Sequence, residues 1–228
     1  MARLVDFSIL KDSGIDFAAI ESRCRWKKFD PNEILLDFDD PSTDVYFLVS
    51  GDVRILMRTA AGKEVILGEM RGGQLFGELS AIDGVKRSAN VTALTRGEVC
   101  VMPAAIFREV LYHSPVVAER MFRILTNRIR DLNARVMEHT VLDLRHRLYS
   151  ELLRMSVPRS GHEGQRVVTP PPYHHVLAGR IGCRRDQVTR EFSTMTQDEL
   201  IERTRGALVL LRPEVMQARV SEALREDG

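Results

Sequence analysis

The stretch QLFGELSAIDGVKRSANV, Gln74 to Val91, decides how this chain is read. It has the make-up of a compact anion site. Gly77 lets the backbone turn so that successive amides face one point, and Glu78 to Ile82 is predicted as one short helical turn whose N-terminus favours negative charge. Arg87 adds a guanidinium and Ser88 a hydroxyl, a pair suited to a singly charged phosphate diester. Glu78 makes the stretch more than a general phosphate cradle. A carboxylate repels phosphate, yet it accepts a hydrogen bond from a sugar 2′-hydroxyl a few ångströms away. An ordinary surface turn with a Glu and an Arg would look alike in isolation, so the surroundings must decide.

Outward from this stretch, Phe29 to Pro103 reads as short apolar runs separated by turn residues, which is a β pattern. DVYFLVSG ends at Gly51-Asp52, VRILMRTA leads to a hairpin at Ala61-Gly62, and KEVILGEM runs into Gly72-Gly73. Ser88 to Leu94 and Glu98 to Met102 bracket a turn at Arg96-Gly97. Then the period changes. Pro103 to Tyr112 is predicted as a short helix, and a long one follows from about Pro115, free of Gly and Pro as far as Asp143.

That long helix carries an apolar seam. Phe122, Ile129 and Val136 occupy one heptad position and Ala118, Leu125, Leu132 and His139 the other, the alternation a coiled-coil dimer needs. A single helix packing on its own domain would show the same stripe, but the spacing favours a dimer. Arg120, Arg123, Arg128, Arg130 and Arg135 are read as its solvated faces. VLDLRHRLYSELLRM is a second helix with Asp143 as its N-cap, followed by the loop VPRSGHEGQ, a short β run and Pro170 to Pro172.

YHHVLAGRIGCRRDQVTREFSTM, Tyr173 to Met195, reads as helix, tight turn, helix. Ala178 is small where two helices approach, Gly182 permits the turn, and Val188 and Phe192 face back from the second helix. Arg184, Arg185, Asp186, Thr189 and Arg190 point outward. Arg bridges guanine O6 and N7, and a carboxylate accepts from cytosine N4 in the major groove.

Composition agrees with a soluble globular chain: 228 residues, 44% hydrophobic, 29% charged, net charge +1. No stretch is long and apolar enough for a membrane span, and MARLVDFSILKDSG has acidic residues where a signal peptide needs its apolar run, so the cytoplasm is expected. Cys24, Cys100 and Cys183 are too scattered for a disulfide framework or a spaced metal site.

The cassette, with glycine-punctuated strands before it and the helix-turn-helix after it, resembles the cyclic AMP receptor protein / fumarate-nitrate reductase regulator family of bacterial transcription regulators. The likeness runs from about Phe29 to Pro213. It implies an α+β fold: an N-terminal antiparallel β-roll, a long dimerisation helix (about 115–138, within residues 1–138) and a C-terminal winged helix-turn-helix (139–228). ELIERTRGALVLLRP is then the wing, turning at Arg205-Gly206. The resemblance further implies a homodimer on palindromic double-stranded DNA, with cyclic AMP or cyclic GMP as allosteric ligand. RNA polymerase is an expected partner. Glu78 becomes the ribose ligand, Arg87 and Ser88 the phosphate ligands, and Gly77 and Leu79 backbone contributors. Leu132 and Asn133 stand where better-known members place a Thr and a Ser facing adenine. Arg185, Asp186 and Arg190 become base readers, Asp186 standing where those members carry Glu.

Rival readings fit less well. A cupin-like metal enzyme needs His-x-His among the strands, whereas five of the six histidines lie at or beyond position 139. Kinase and channel modules lack the helix-turn-helix. Cys24 alone holds no iron–sulfur cluster, and His113 has no pattern supporting haem. No catalytic residue, metal or covalent cofactor is expected.

Overall fold

The computed structural model describes residues 7–59, 62 and 64–226. Packing divides the chain into two compact units, Met1–Arg128 and Ile129–Gly228. In the first, α1 (Phe17–Glu21) is capped by Asp16, whose carboxylate accepts from the backbone of Ala18 and Ala19 at 3.0 and 3.3 Å. Eight strands follow: β1 (Arg25–Phe29), β2 (Ile34–Leu36), β3 (Val45–Ser50), β4 (Asp52–Arg58), β5 (Glu64–Arg71) and β6 (Leu75–Phe76), then, after α2 (Glu78–Asp83), β7 (Asn90–Ala93) and β8 (Gly97–Met102). They form two four-stranded antiparallel sheets, ordered β1-β8-β3-β6 and β2-β7-β4-β5. Ala61, in the expected hairpin, lies outside the described residues. On either side of it Arg58 pairs with Glu64.

The first sheet is covered on both faces, and β8 shows why. Alternate side chains of a strand point to opposite faces. Val99 and Val101 join Leu48, Val53 and Phe76 in a core reached from both sheets. Cys100 and Met102 turn to a second core with Phe47, Phe107 of α3 (Ala104–His113) and Met121 of α4 (Pro115–Val141). A strand buried on both faces reads as a continuous apolar run, which is what VCVM is. Two of the cysteines that lie far apart in the sequence meet in the fold. None of the three forms a disulfide, and the Cys100 side chain beside Cys24 holds the Cys24 thiol below its usual range.

The long helix ends a few residues later than expected, at Val141. Asp143 then takes extended backbone and caps α5 (Leu144–Met155), accepting from the His146 backbone at 2.9 Å. Beyond come β9 (Val157–Pro158), β10 (Arg166–Val168), α6 (His174–Ile181), α7 (Arg185–Gln197), β11 (Ile201–Arg203), β12 (Leu208–Leu210) and α8 (Pro213–Glu226). The short strands make one antiparallel sheet, β11-β12-β10-β9, with Arg205 and Gly206 at the turn of the wing. Leu148, Leu152, Leu177, Val188, Met195 and Leu208 close the core of this unit. No helix among the described residues is long and apolar enough to cross a membrane.

Three arginines expected on solvated faces of α4 are engaged instead. Arg120 donates to the carbonyls of Ser8, Ile9 and Lys11, tying down the N-terminal segment. Arg128 and Arg135 each approach a buried carboxylate. Periodicity assigns a face to a residue, but a long guanidinium reaches well beyond its own face.

Candidate functional site

The cassette is assembled by strand pairing. β6 is held on β3 by the pairs Tyr46↔Phe76 and Phe47↔Leu75, with the Tyr46 and Phe76 rings stacked at 5.1 Å. The chain then turns through Gly77, whose φ of 81° lies in the left-handed region that glycine adopts without strain. A Cβ there would lie 2.9 Å from Arg87 Nη1 and 3.0 Å from the Asp44 carbonyl, so the glycine also makes room for the arginine. Directly after it α2 begins.

Arg87 is 2% exposed. Its Nε donates to Ser42 Oγ at 3.0 Å, Nη1 to the Gly77 carbonyl at 2.9 Å and Nη2 to the Asp44 carbonyl at 2.8 Å. All three acceptors are neutral. Burial pulls the Arg87 pKa down, and Tyr46, Asp40, Asp44 and Glu78 offset this only through space. A buried cation with neutral first neighbours is a standing demand for an anion. Ser88 beside it and Leu79 on α2 are exposed, and Gly77 is half-buried.

Glu78, also 2% exposed, accepts a hydrogen bond from Arg128 of α4, which donates as well to the Leu75 carbonyl at 3.0 Å. Sequence reasoning missed Arg128, together with Ser42 and Asp44. The signal that points to the first is a buried acidic residue in need of a cation. Nothing in the sequence marks the loop carrying the other two. The cassette thus brings Gly77, Glu78, Leu79, Arg87 and Ser88 together in the first unit. Leu132 and Asn133 lie on α4 in the second unit, both exposed.

The second candidate site is the pair α6 and α7. Gly182 ends α6 with φ 72°, and Val188, Phe192 and Met195 seat α7 on the core. Arg184, Arg185, Asp186, Thr189 and Arg190 are all exposed. Arg184 is the N-cap residue, its backbone N–H held by the Gln187 side chain at 3.0 Å. Asp186 accepts from Arg190 at 2.7 Å, and its other oxygen is 3.4 Å from Arg184 Nε. The bond from Arg190 is the main cause of an Asp186 pKa below the usual carboxylate range. Thr189 Oγ1 is 2.8 Å from His174 Nδ1. Among the described residues no three His, Cys, Asp or Glu side chains gather as a metal site.

Comparison with known proteins matches residues 26–114 to the cyclic nucleotide-binding domain and residues 146–219 to the Crp-like helix-turn-helix domain. Over 212 residues the chain is 26% identical to a CRP-like cAMP-activated global transcriptional regulator of Mycobacterium tuberculosis, covering 92% of this chain and 93% of that one. Over 187 residues it is 26% identical to the cAMP-activated global transcriptional regulator CRP of Salmonella typhimurium, covering 79% and 86%. In fold it resembles a CooA mutant from Carboxydothermus hydrogenoformans, with TM-score 0.78 at 15% identity over 91% of this chain and 92% of that one. It also resembles CLP of Xanthomonas campestris, described as a c-di-GMP responsive global regulator, with TM-score 0.69 at 20% identity over 83% and 95%.

Proposed function

The chain belongs to the cyclic AMP receptor protein family of DNA-binding transcription regulators, and from that membership we propose that it works as a homodimer that binds a 3′,5′-cyclic nucleotide and then a palindromic DNA site. Members of this family are regulators, not enzymes. The observation that carries the reading is the buried Arg87 guanidinium with neutral acceptors only, next to the buried carboxylate of Glu78. One offers a cyclic phosphate its missing positive charge. The other offers a ribose 2′-hydroxyl an acceptor. Ser88 supplies a further phosphate donor, and Gly77 and Leu79 supply backbone.

Phe122, Ile129 and Val136 are 67%, 57% and 64% exposed, which supports pairing of two copies along α4. Residues 1–138 then form the ligand-binding half, long helix included, and 139–228 the DNA-binding half. Leu132 and Asn133 are assigned to the base on the resemblance alone. Leu132 has no hydroxyl for adenine, and the Asn133 amide serves either purine edge, so cyclic AMP and cyclic GMP should bind within about 1.4 kcal/mol, a factor of ten. Arg184 and Thr189 are assigned to DNA contact, and Arg185, Asp186 and Arg190 to base reading. RNA polymerase is a further partner, met through the loop Pro158 to Gly164, and the cytoplasm is the working compartment.

Calorimetric titration of each nucleotide into wild type and Asn133→Ala, with and without a two-fold symmetric operator, tests the reading. Both nucleotides should bind, and at least one should raise DNA affinity, because coupling is reciprocal. Inertness to both nucleotides would remove the cassette assignment. A hundredfold preference for cyclic AMP that survives Asn133→Ala would remove the assignment of the base.

A further inference from the structure

Glu151 is, with Glu78, a buried acid among the described residues, 2% exposed in the middle of α5. Arg154, one turn on, donates to its Oε2 at 2.5 Å, and Arg180 of α6 donates to its Oε1 at 2.9 Å. Arg135 of α4 lies 4.0 Å from Oε2, and Arg154 reaches back to both oxygens of Glu138 on α4 at 2.6 and 2.8 Å. Five charged side chains thus connect the last turns of α4, the middle of α5 and the first helix of the DNA-reading pair, all within the second unit. Apolar packing fills space in many arrangements. An ion network fits in few, because each displaced partner leaves a buried charge exposed to a medium that cannot solvate it.

We infer that Glu151 is a positioning residue: through Arg154 and Arg180 it sets α6, and with it the recognition helix, according to where α4 places Arg135 and Glu138. This rests on the proposed function, in which ligand is held in the cassette. Arg128, the partner of buried Glu78, and Arg135, the neighbour of buried Glu151, lie seven positions apart on one helix, two turns and nearly the same face. A ligand drawing on Glu78 alters the load on Arg128. On this inference α4 carries any resulting shift to Arg135 and Glu138, and the network passes it to α6.

The test separates coupling from folding. Arg135→Gln/Glu138→Gln removes both α4 contributions at no change in net charge and leaves the bonds of Glu151 to Arg154 and Arg180 in place. Cyclic AMP and cyclic GMP affinities are measured without DNA. Affinity for a duplex selected by wild type from a random-sequence pool is measured with and without each nucleotide, and circular dichroism follows melting. Nucleotide affinity should stay within about twofold of wild type, while the gain in DNA affinity on adding nucleotide should fall by about fivefold or more, at the low end of typical allosteric coupling. Glu138→Gln alone should give a smaller fall. A folded double variant that keeps the full gain overturns the inference and leaves the proposed function standing. A wild type whose DNA affinity ignores both nucleotides overturns the two together. If the double variant does not fold, Glu138→Gln decides, and an undiminished gain in it counts against the network.

Discussion

Glu78 accepts its hydrogen bond from Arg128, fifty positions further along the chain, so one residue of the cassette is neutralised by the long helix. The carboxylate is buried while the guanidinium is partly exposed, which makes the two ends of the pair unequal. Losing the arginine strands a charge; losing the carboxylate returns a cation to water.

Arg128→Met should therefore destabilise the protein by about 3–5 kcal/mol. Adding Glu78→Gln in the same chain should restore much of this, since an amide needs no counter-ion. Urea unfolding of the single and double variants measures both, and equal stability of the two would count against the pair.

Arg87→Ala should weaken nucleotide binding by about 3–5 kcal/mol if the guanidinium meets a buried phosphate. Glu78→Gln should instead reduce the preference for the ligand with a ribose 2′-hydroxyl over its 2′-deoxy analogue. Calorimetry reads both. Unchanged affinity in the first would leave Arg87 as a strap for the loop around Ser42 and Asp44, and an unchanged preference in the second would free Glu78 of its role.

On α7, Arg185→Ala should cost about 1–3 kcal/mol and relax the sequence preference at one base pair of each half-site. Asp186→Asn acts differently. It releases Arg190 and Arg184 from the carboxylate that now holds them, so affinity for unrelated duplex should rise and its dependence on salt should steepen by about one phosphate's worth. Titration of binding against salt distinguishes the two effects, and a uniform loss for Arg185→Ala would make that residue a phosphate contact.

Burial, and then the nearby Arg147 guanidinium, hold the His139 imidazole below its ordinary pKa of about 6.5. The folded protein thus resists a proton that the unfolded chain accepts. As pH falls through about 6.5 the unfolded state binds more protons, and stability declines until the folded pKa is passed. His139→Gln should lose less stability than wild type over that interval, as thermal melts at stepped pH will show. Parallel profiles would rule His139 out as the titrating group.

Much of this fold was legible because its signals are local. Gly77 and Gly182 sit at turns that require their φ, Asp143 caps the helix it precedes, and β8 announces double burial by an unbroken apolar run. The residues proposed for the cassette were open to the same local reading, lying within one short stretch. What stayed hidden depends on long side chains meeting across sequence distance. Arg120, Arg128 and Arg135 look like helix solubilisers until the carbonyls and carboxylates they reach are known. Cys24 and Cys100 look unrelated until β1 is laid on β8. Seam residue Leu125 likewise packs partly on the first unit's own core, which a heptad count does not reveal.

The place of β8 at the centre of its sheet has a consequence for synthesis on the ribosome. Among the described residues β1 has β8 as its one neighbour in that sheet, and β3 meets β8 along nearly its whole length. At about 5–20 residues per second these early strands leave the exit tunnel seconds ahead of the one that joins them. Until Gly97 to Met102 emerges, the edges they present to β8 are unpaired and Val45, Phe47 and Leu48 lack part of their cover. A nascent chain arrested before that point is the species a holding chaperone should recognise, and release should follow once β8 has cleared the tunnel.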